Sequence, residues 1–191
     1  MNFAGHVREV ALRLIRLLER DQTPYALMGG IVVPIWGVPR ATYDVDVTLL
    51  GDAAVVDRFL AAAVADGFVV DPPFTKGFRD RVSGMDKLRI EWWTPESRRV
   101  EVDVFLVTTE YQRAAFARRV QARIDHTTAW VIGPADLILH KLVAGRPKDL
   151  ADIQNVLAVQ GSVDAEYVRK WAVRLAVEDR LDTSLRLAGL A

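Results

Sequence analysis

Two stretches of the chain alternate apolar and polar residues with a period of two, the pattern of a strand with one buried face. "YDVDVTLL" (residues 43–50) sets Tyr43, Val45 and Val47 on one side and Asp44 and Asp46 on the other. "RRVEVDVFLV" (98–107) repeats the arrangement, with Val100, Val102 and Val104 against Glu101 and Asp103. The N-terminal stretch "MNFAGHVREVALRLIRLLERDQ" instead predicts an amphipathic helix. Its buried side is Val7, Leu12, Leu14, Ile15, Leu17 and Leu18. Tyr25–Met28 predicts a short strand. Gly29-Gly30 breaks it, and a short helix over Ile31–Trp36 follows. Pro34 lies near that helix's first turn, where a missing N–H is tolerated.

The remaining pattern completes a mixed set of elements. "GDAAVVDRFLAAAVADGF" predicts a helix, with Asp52 as N-cap and Gly67 as C-cap. Strands near Lys87–Trp93 and Arg99–Val107 form a hairpin around Thr94-Pro95-Glu96-Ser97. Residues 71–85, with two Pro and two Gly, read as loop or edge strand. Tyr111–Val120 predicts a helix and Trp130–Ile132 a short strand. Helices are then predicted over Pro134–Ala144, from Pro147 onward, over Asp164–Val177 and over Asp179–Leu190. The fold class is therefore α+β. A mixed sheet flanked by helices occupies residues 1–133, and a helical region, residues 134–191, packs on it.

Composition narrows the function classes. The 191 residues carry 25 basic and 25 acidic side chains, so overall charge does not advertise nucleic acid. No cysteine is present, which excludes disulfides, thiolate metal sites and a cysteine nucleophile. No apolar run reaches membrane-span length, and Arg8, Glu9, Arg13 and Arg16 interrupt the N-terminal apolar stretch, so no membrane partner is expected and the expected location is the cytoplasm. His6, His126 and His140 have no metal-ligand spacing.

Chemistry concentrates on the acidic faces of the two alternating strands. Asp44 and Asp46 repel each other, and each resists desolvation. A divalent cation answers both problems, since carboxylate oxygens suit Mg²⁺. The plainer alternative is two solvated aspartates on an edge strand. If the second acidic strand is a neighbour, Asp103 or Glu101 adds a third carboxylate, Asp103 being deeper in the apolar run. Gly29-Gly30 is by itself a turn, but its backbone can approach a phosphate closely. "HKLVAGRPKDLADI" (140–153) supplies Lys141, Arg146 and Lys148, with Asp149 and Asp152 interleaved. Lys141 follows an apolar run and suits a polyphosphate contact. Lys148 and Asp152 are i,i+4, which also suits a plain surface pair. Arg40, just before the acidic strand, fits either a phosphate or a carboxylate.

With these residues together, the sequence resembles the nucleotidyltransferase superfamily, which shares the DNA polymerase β-like fold. The matching elements are Gly29-Gly30, Asp44-Val45-Asp46 and Asp103. The fuller string "GG…RATYDVD…HKLVAGRPKDLADI" looks most like the AbiEii-type toxin branch and related minimal nucleotidyltransferases. The resemblance spans about Tyr25 to Leu157. It implies transfer of a nucleoside monophosphate from an NTP to a macromolecular acceptor, tRNA or protein. Asp44, Asp46 and Asp103 are implied as catalytic residues and as ligands of two Mg²⁺ ions. Gly29, Gly30, Arg40 and Lys141 are implied as nucleotide contacts, with Lys148 and Asp152 as further members. Many relatives carry Ser at the position of Gly30, so a hydroxyl contact to phosphate is missing there. The toxin-like branch also implies a cognate antitoxin. The competing readings are a small-molecule (aminoglycoside-like) nucleotidyltransferase, with Glu91 and Glu101 lining an acidic acceptor pocket, and a non-catalytic nucleotide-binding or antitoxin module.

Overall fold

The computed structural model describes residues 3–70, 78–79, 84–161 and 163–190. Of the stretch read as loop or edge strand, residues 71–77 and 80–83 lie outside those residues. Helix α1 (Phe3–Arg20) leads into strand β1 (Tyr25–Met28). A 3-10 turn (Gly29–Ile31) and the single-turn helix α2 (Val33–Trp36) follow, with Pro34 in the first turn. Strand β2 (Asp44–Leu49) carries the first acidic pair. Helix α3 (Ala53–Ala65) is capped by Asp52, whose carboxylate accepts from the Val55 N–H.

The sheet continues with β3 (Val69–Val70), β4 (Phe78–Arg79), β5 (Asp86–Trp93) and β6 (Arg99–Leu106). Helix α4 (Glu110–Ala117) begins with a capping box between Thr109 and Gln112. Strands β7 (Val120–Ile124) and β8 (Thr127–Val131) form a hairpin. Helices α5 (Pro134–Ala144), α6 (Pro147–Gln160), α7 (Ala165–Arg174) and α8 (Glu178–Leu187) complete the chain. This is the expected mixed sheet flanked by helices, with a helical C-terminal part.

The hairpin corrects one expectation. Val120 belongs to β7 rather than to a helix, and helix α4 stops at Ala117. Strand β7 lies at a sheet edge, with Val120, Gln121 and Arg123 exposed. Such a strand needs little apolar alternation, so its period is faint.

Strand order is β3-β5-β6-β2-β1-β8-β7, with β4 added beside β5. Strand β2 is thus interior, between β6 and β1, and the edge-strand explanation of its aspartates does not apply. Its pairing with β6 is parallel and in register, Asp44 beside Glu101 and Asp46 beside Asp103. On the other side Asp46 faces Met28, the residue before Gly29. The opposite side chains, Val45, Val47, Val100, Val102 and Val104, are fully buried in one apolar cluster. That cluster also takes in Leu14 and Leu18 of α1 and Leu139, Leu142 and Ile153 of the C-terminal helices. A one-residue slip of β2 would exchange the valines for aspartates, so burial fixes the register that aligns the carboxylates. Among the described residues no helix is long and apolar enough to cross a membrane.

Candidate active site

A cleft of about 120 Å³ opens where β2 begins and β1 ends, beside the second half of β6. Its walls bring together Gly29, Asp44, Asp46, Asp103 and Lys141 from the expected set. Lys87, Arg146, Asp149 and His140 join them. Four carboxylates therefore meet three cations across this space, and the pairing among them is uneven.

Two of the carboxylates are claimed by cations. Asp103 Oδ2 accepts from Lys87 Nζ at 2.7 Å, and its Oδ1 accepts from Arg89 Nε at 2.8 Å. Asp149 accepts from Lys141 Nζ at 3.0 Å and from Arg146 Nε at 2.6 Å. Lys141 also meets Asp152 Oδ2 at 2.8 Å, and Arg40 clamps Asp152 with two bonds of 2.7 Å. Burial pushes Asp149 and Asp152 upward, but the hydrogen bonds from Arg146, Arg40 and Lys141 outweigh it and hold both below the usual carboxylate range.

Asp44 and Asp46 have no such cation. Asp44 Oδ1 accepts from the Thr42 hydroxyl at 3.0 Å, and the Asp46 carboxylate makes no hydrogen bond among the described residues. Burial first, then the charges of Asp44 and Asp103, push Asp46 up to about 7, against the opposing pull of Lys141 and Lys87. A carboxylate in this condition is short of positive charge. The Asp44–Asp46 pair, both oxygen donors on one strand face, fits a hard divalent cation. Among the described residues no group of three or more His, Asp or Glu side chains converges as a metal site.

The glycines have separate duties. Gly29 holds φ +66°, and a Cβ there would collide with Asp46 Oδ2, so only glycine lets the turn lie against that carboxylate. A Cβ on Gly30 would fall on the Thr42 hydroxyl. Thr42 thus fills the space that a side chain at position 30 would need. Gly30, Arg40 and Thr42 line a second, larger cavity of about 800 Å³.

Helices α5 and α6 deliver the cations. Gly145 ends α5 in the left-handed conformation, with φ +63°. Pro147 starts α6 directly afterwards, which sets Lys141 of one helix against Asp149 and Asp152 of the next. Lys148 is exposed and does not line the cleft. Its suggested pairing with Asp152 is replaced by Arg40 and Lys141, because Asp152 points inward and is 1% exposed. Arg146 stands in the cleft wall instead, held charged first by its hydrogen bond to Asp149, with Asp46 and Asp44 adding to the effect.

Lys87 is the functional candidate that pattern reading passes over, and Arg146, named among the cations of the 140–153 string, is a cleft residue that it does not assign to the nucleotide. Lys87 lies on the polar face of β5 with Arg89 and Glu91, and only the folded sheet shows that it is buried. Glu101 pairs with Arg89 and Arg99 and is absent from the cleft lining, whereas Asp103 is in it. His140 packs beside Tyr111, with ring centroids 5.5 Å apart. Burial and then Lys141 lower it to about 4, so it is neutral at pH 7. Trp92 packs edge-on against Phe68, and Trp93 is exposed.

A family model described as "Nucleotidyltransferase of unknown function (DUF6036)" matches residues 8–183. The chain belongs to this family. Solved structures carry the same fold at low identity. The antigenic nucleotidyltransferase-like protein of Paracoccidioides brasiliensis aligns with a TM-score of 0.58 and 17% identity, over 97% of this chain and 92% of that one. The antibiotic-resistance factor ANT(2'')-Ia gives 0.58 and 11%, over 94% and 98%. The lincosamide antibiotic adenylyltransferase LnuA, bound to lincomycin, gives 0.51 and 14%, over 79% and 96%. No curated protein sequence matches the chain. This nucleotidyltransferase therefore shares its architecture with these proteins, while its acceptor must be argued from its own residues.

Proposed function

We propose that this nucleotidyltransferase moves an NMP from an NTP onto a hydroxyl of a macromolecule, tRNA or protein, with Mg²⁺ bound at Asp44 and Asp46. The observation that carries the metal-dependent part is the Asp44–Asp46 pair, the two cleft carboxylates with no cation hydrogen-bonded to them among the described residues, with Asp46 raised to about 7. When bound, Mg²⁺ supplies Lewis-acid neutralisation of phosphate oxygens. The Gly29-Gly30 backbone brings the polyphosphate close to β2, since no side chain intervenes there. Lys141 and Arg146 give the phosphates positive charge, Lys141 with its ammonium fixed by Asp149 and Asp152. Asp103 lies one strand further, on the side from which the acceptor hydroxyl approaches. The acceptor oxygen bonds to the α-phosphorus, the bond to the β-phosphate oxygen breaks, pyrophosphate leaves, and the acceptor proton passes to Asp103.

The acceptor class rests on the pairing of Glu91 and Glu101. A cationic drug needs free carboxylates, yet Arg99 contacts both glutamates, at 3.0 and 2.7 Å, and Arg89 also meets Glu101 at 3.0 Å. That removes the support these two residues gave to an aminoglycoside-like acceptor. The AbiEii-type placing remains a resemblance carried by the strings around Asp44 and Lys141. If the acceptor is essential, expression of the active enzyme arrests growth, and a cognate antitoxin is then the partner that relieves it. Transfer is tested with each α-labelled NTP and Mg²⁺, offering total tRNA, cell protein or tobramycin in separate reactions. Label on tRNA or protein supports the proposal and names the acceptor. Label on tobramycin alone overturns the acceptor class.

A further inference from the structure

We infer that Lys87 takes the place of a second divalent ion, so that the chain binds one metal, at Asp44 and Asp46, rather than two. This rests on the metal-dependent transfer proposed above. A two-metal site presents one ion to the attacking oxygen and one to the leaving oxygen, with the third carboxylate ligating the former. Here the third carboxylate is already engaged. Lys87 Nζ lies 2.7 Å from Asp103 Oδ2, and Arg89 holds both oxygens, at 2.8 and 3.2 Å. An ion ligated by either Asp103 oxygen would have to displace or crowd a cationic donor already bonded there.

The position of Lys87 makes that displacement unfavourable. It is 5% exposed, on β5 directly across from Phe105, with Nζ 5.4 Å from the centre of that ring. Separated from Asp103, its ammonium would give up a 2.7 Å charge-assisted bond in a buried setting. Lys87 also lines the cleft with Asp44, Asp46 and Asp103, so its charge faces the reacting centre. A fixed ammonium beside Asp103 supplies the acceptor side with the positive charge that the second ion would bring. In the transfer step the acceptor proton goes to Asp103. Lys87 is thus a positioning residue that acts through Asp103.

Metal count decides the matter independently of activity. The full chain is titrated with Mn²⁺, with and without α,β-methylene-ATP, and bound ions are counted by the loss of the free Mn²⁺ signal in electron paramagnetic resonance. The inference predicts one ion per chain, no spin-coupled pair, and an unchanged count in Asp103→Asn. Lys87→Met, which leaves Asp103 Oδ2 only the 3.2 Å bond from Arg89, raises the count to two. Two ions in the wild type, the second lost in Asp103→Asn, overturn the inference and leave metal-dependent transfer standing. A single ion in a folded Lys87→Met overturns the part given to Lys87. No bound ion in the wild type overturns the metal-dependent reading itself. Should Lys87→Met not fold, the wild type and Asp103→Asn counts still decide.

Discussion

Two pairs of aspartates lie near Lys141, and the chain treats them in opposite ways. Asp149 and Asp152, on α6, are almost fully buried, yet Arg40, Lys141 and Arg146 hold them ionised. Asp44 and Asp46, on β2, keep some surface exposure, yet burial first and then the charges of Asp44 and Asp103 raise Asp46 to about 7, and no cation is hydrogen-bonded to it among the described residues. Burial alone does not separate a structural carboxylate from a reactive one. The difference is whether the chain or a ligand supplies the positive charge. The α6 pair builds the wall that holds Lys141 in place, and in the proposed reaction the β2 pair is the one left for a cation.

Substitutions at the two pairs should therefore fail in different ways. Asp152→Ala leaves Lys141 and Arg40 short of a carboxylate, and urea unfolding should show a loss of about 3–5 kcal/mol. Asp46→Asn should leave folding intact and lower transfer about 10³-fold in a labelled-NTP assay. Loss of folding in Asp46→Asn, or full activity, would erase the distinction.

The pH dependence sharpens the same contrast. Folding raises Asp46 from its ordinary value near 4 to about 7, so the folded protein binds the extra proton in that interval. The metal-free protein should lose stability as pH rises from about 4 to 7, by up to about 4 kcal/mol, and keep it below pH 4. Asp136, raised to about 6 mainly by burial, adds a slope of the same sign between pH 4 and 6. Thermal melts of wild type against Asp46→Asn isolate the Asp46 share: the variant should be the more stable at pH 8 and equal at pH 4. Saturating Mg²⁺ should remove that advantage at pH 8.

Smaller effects follow from the glycine turn and the helix surface. Gly29→Ala places a Cβ against Asp46 in a backbone region with φ +66°, and should cost about 1–2 kcal/mol in urea unfolding, with weaker metal binding by calorimetry. Lys148→Ala removes an exposed side chain outside the cleft, so stability should move by less than about 0.5 kcal/mol and transfer should stay near wild type.

The periodic parts of the sequence were the legible ones. Strands β2 and β6 alternate because one face is buried in valines, and that alternation set Asp44, Asp46 and Asp103 on a common side. Strand β7 was illegible because its edge position relaxes the pattern, so Val120 read as an extension of the preceding helix. Helix starts at Pro134 and Pro147 were readable from proline chemistry. What Lys141, Arg146 and Lys148 each face depends on the left-handed turn at Gly145, which spacing alone does not orient. Lys87 was hidden for another reason: its role appears only when β5 lies beside β6 and sets it against Asp103.

The most direct test of the account is transfer by wild type and Asp46→Asn side by side. Each receives α-labelled NTPs, Mg²⁺, total tRNA and cell protein. The account predicts that label moves onto a macromolecule with the wild type and only with Mg²⁺ present, and that Asp46→Asn, folded and of normal stability, transfers almost none. Equal labelling by the two proteins, or wild-type labelling that survives chelation of the metal, would contradict it.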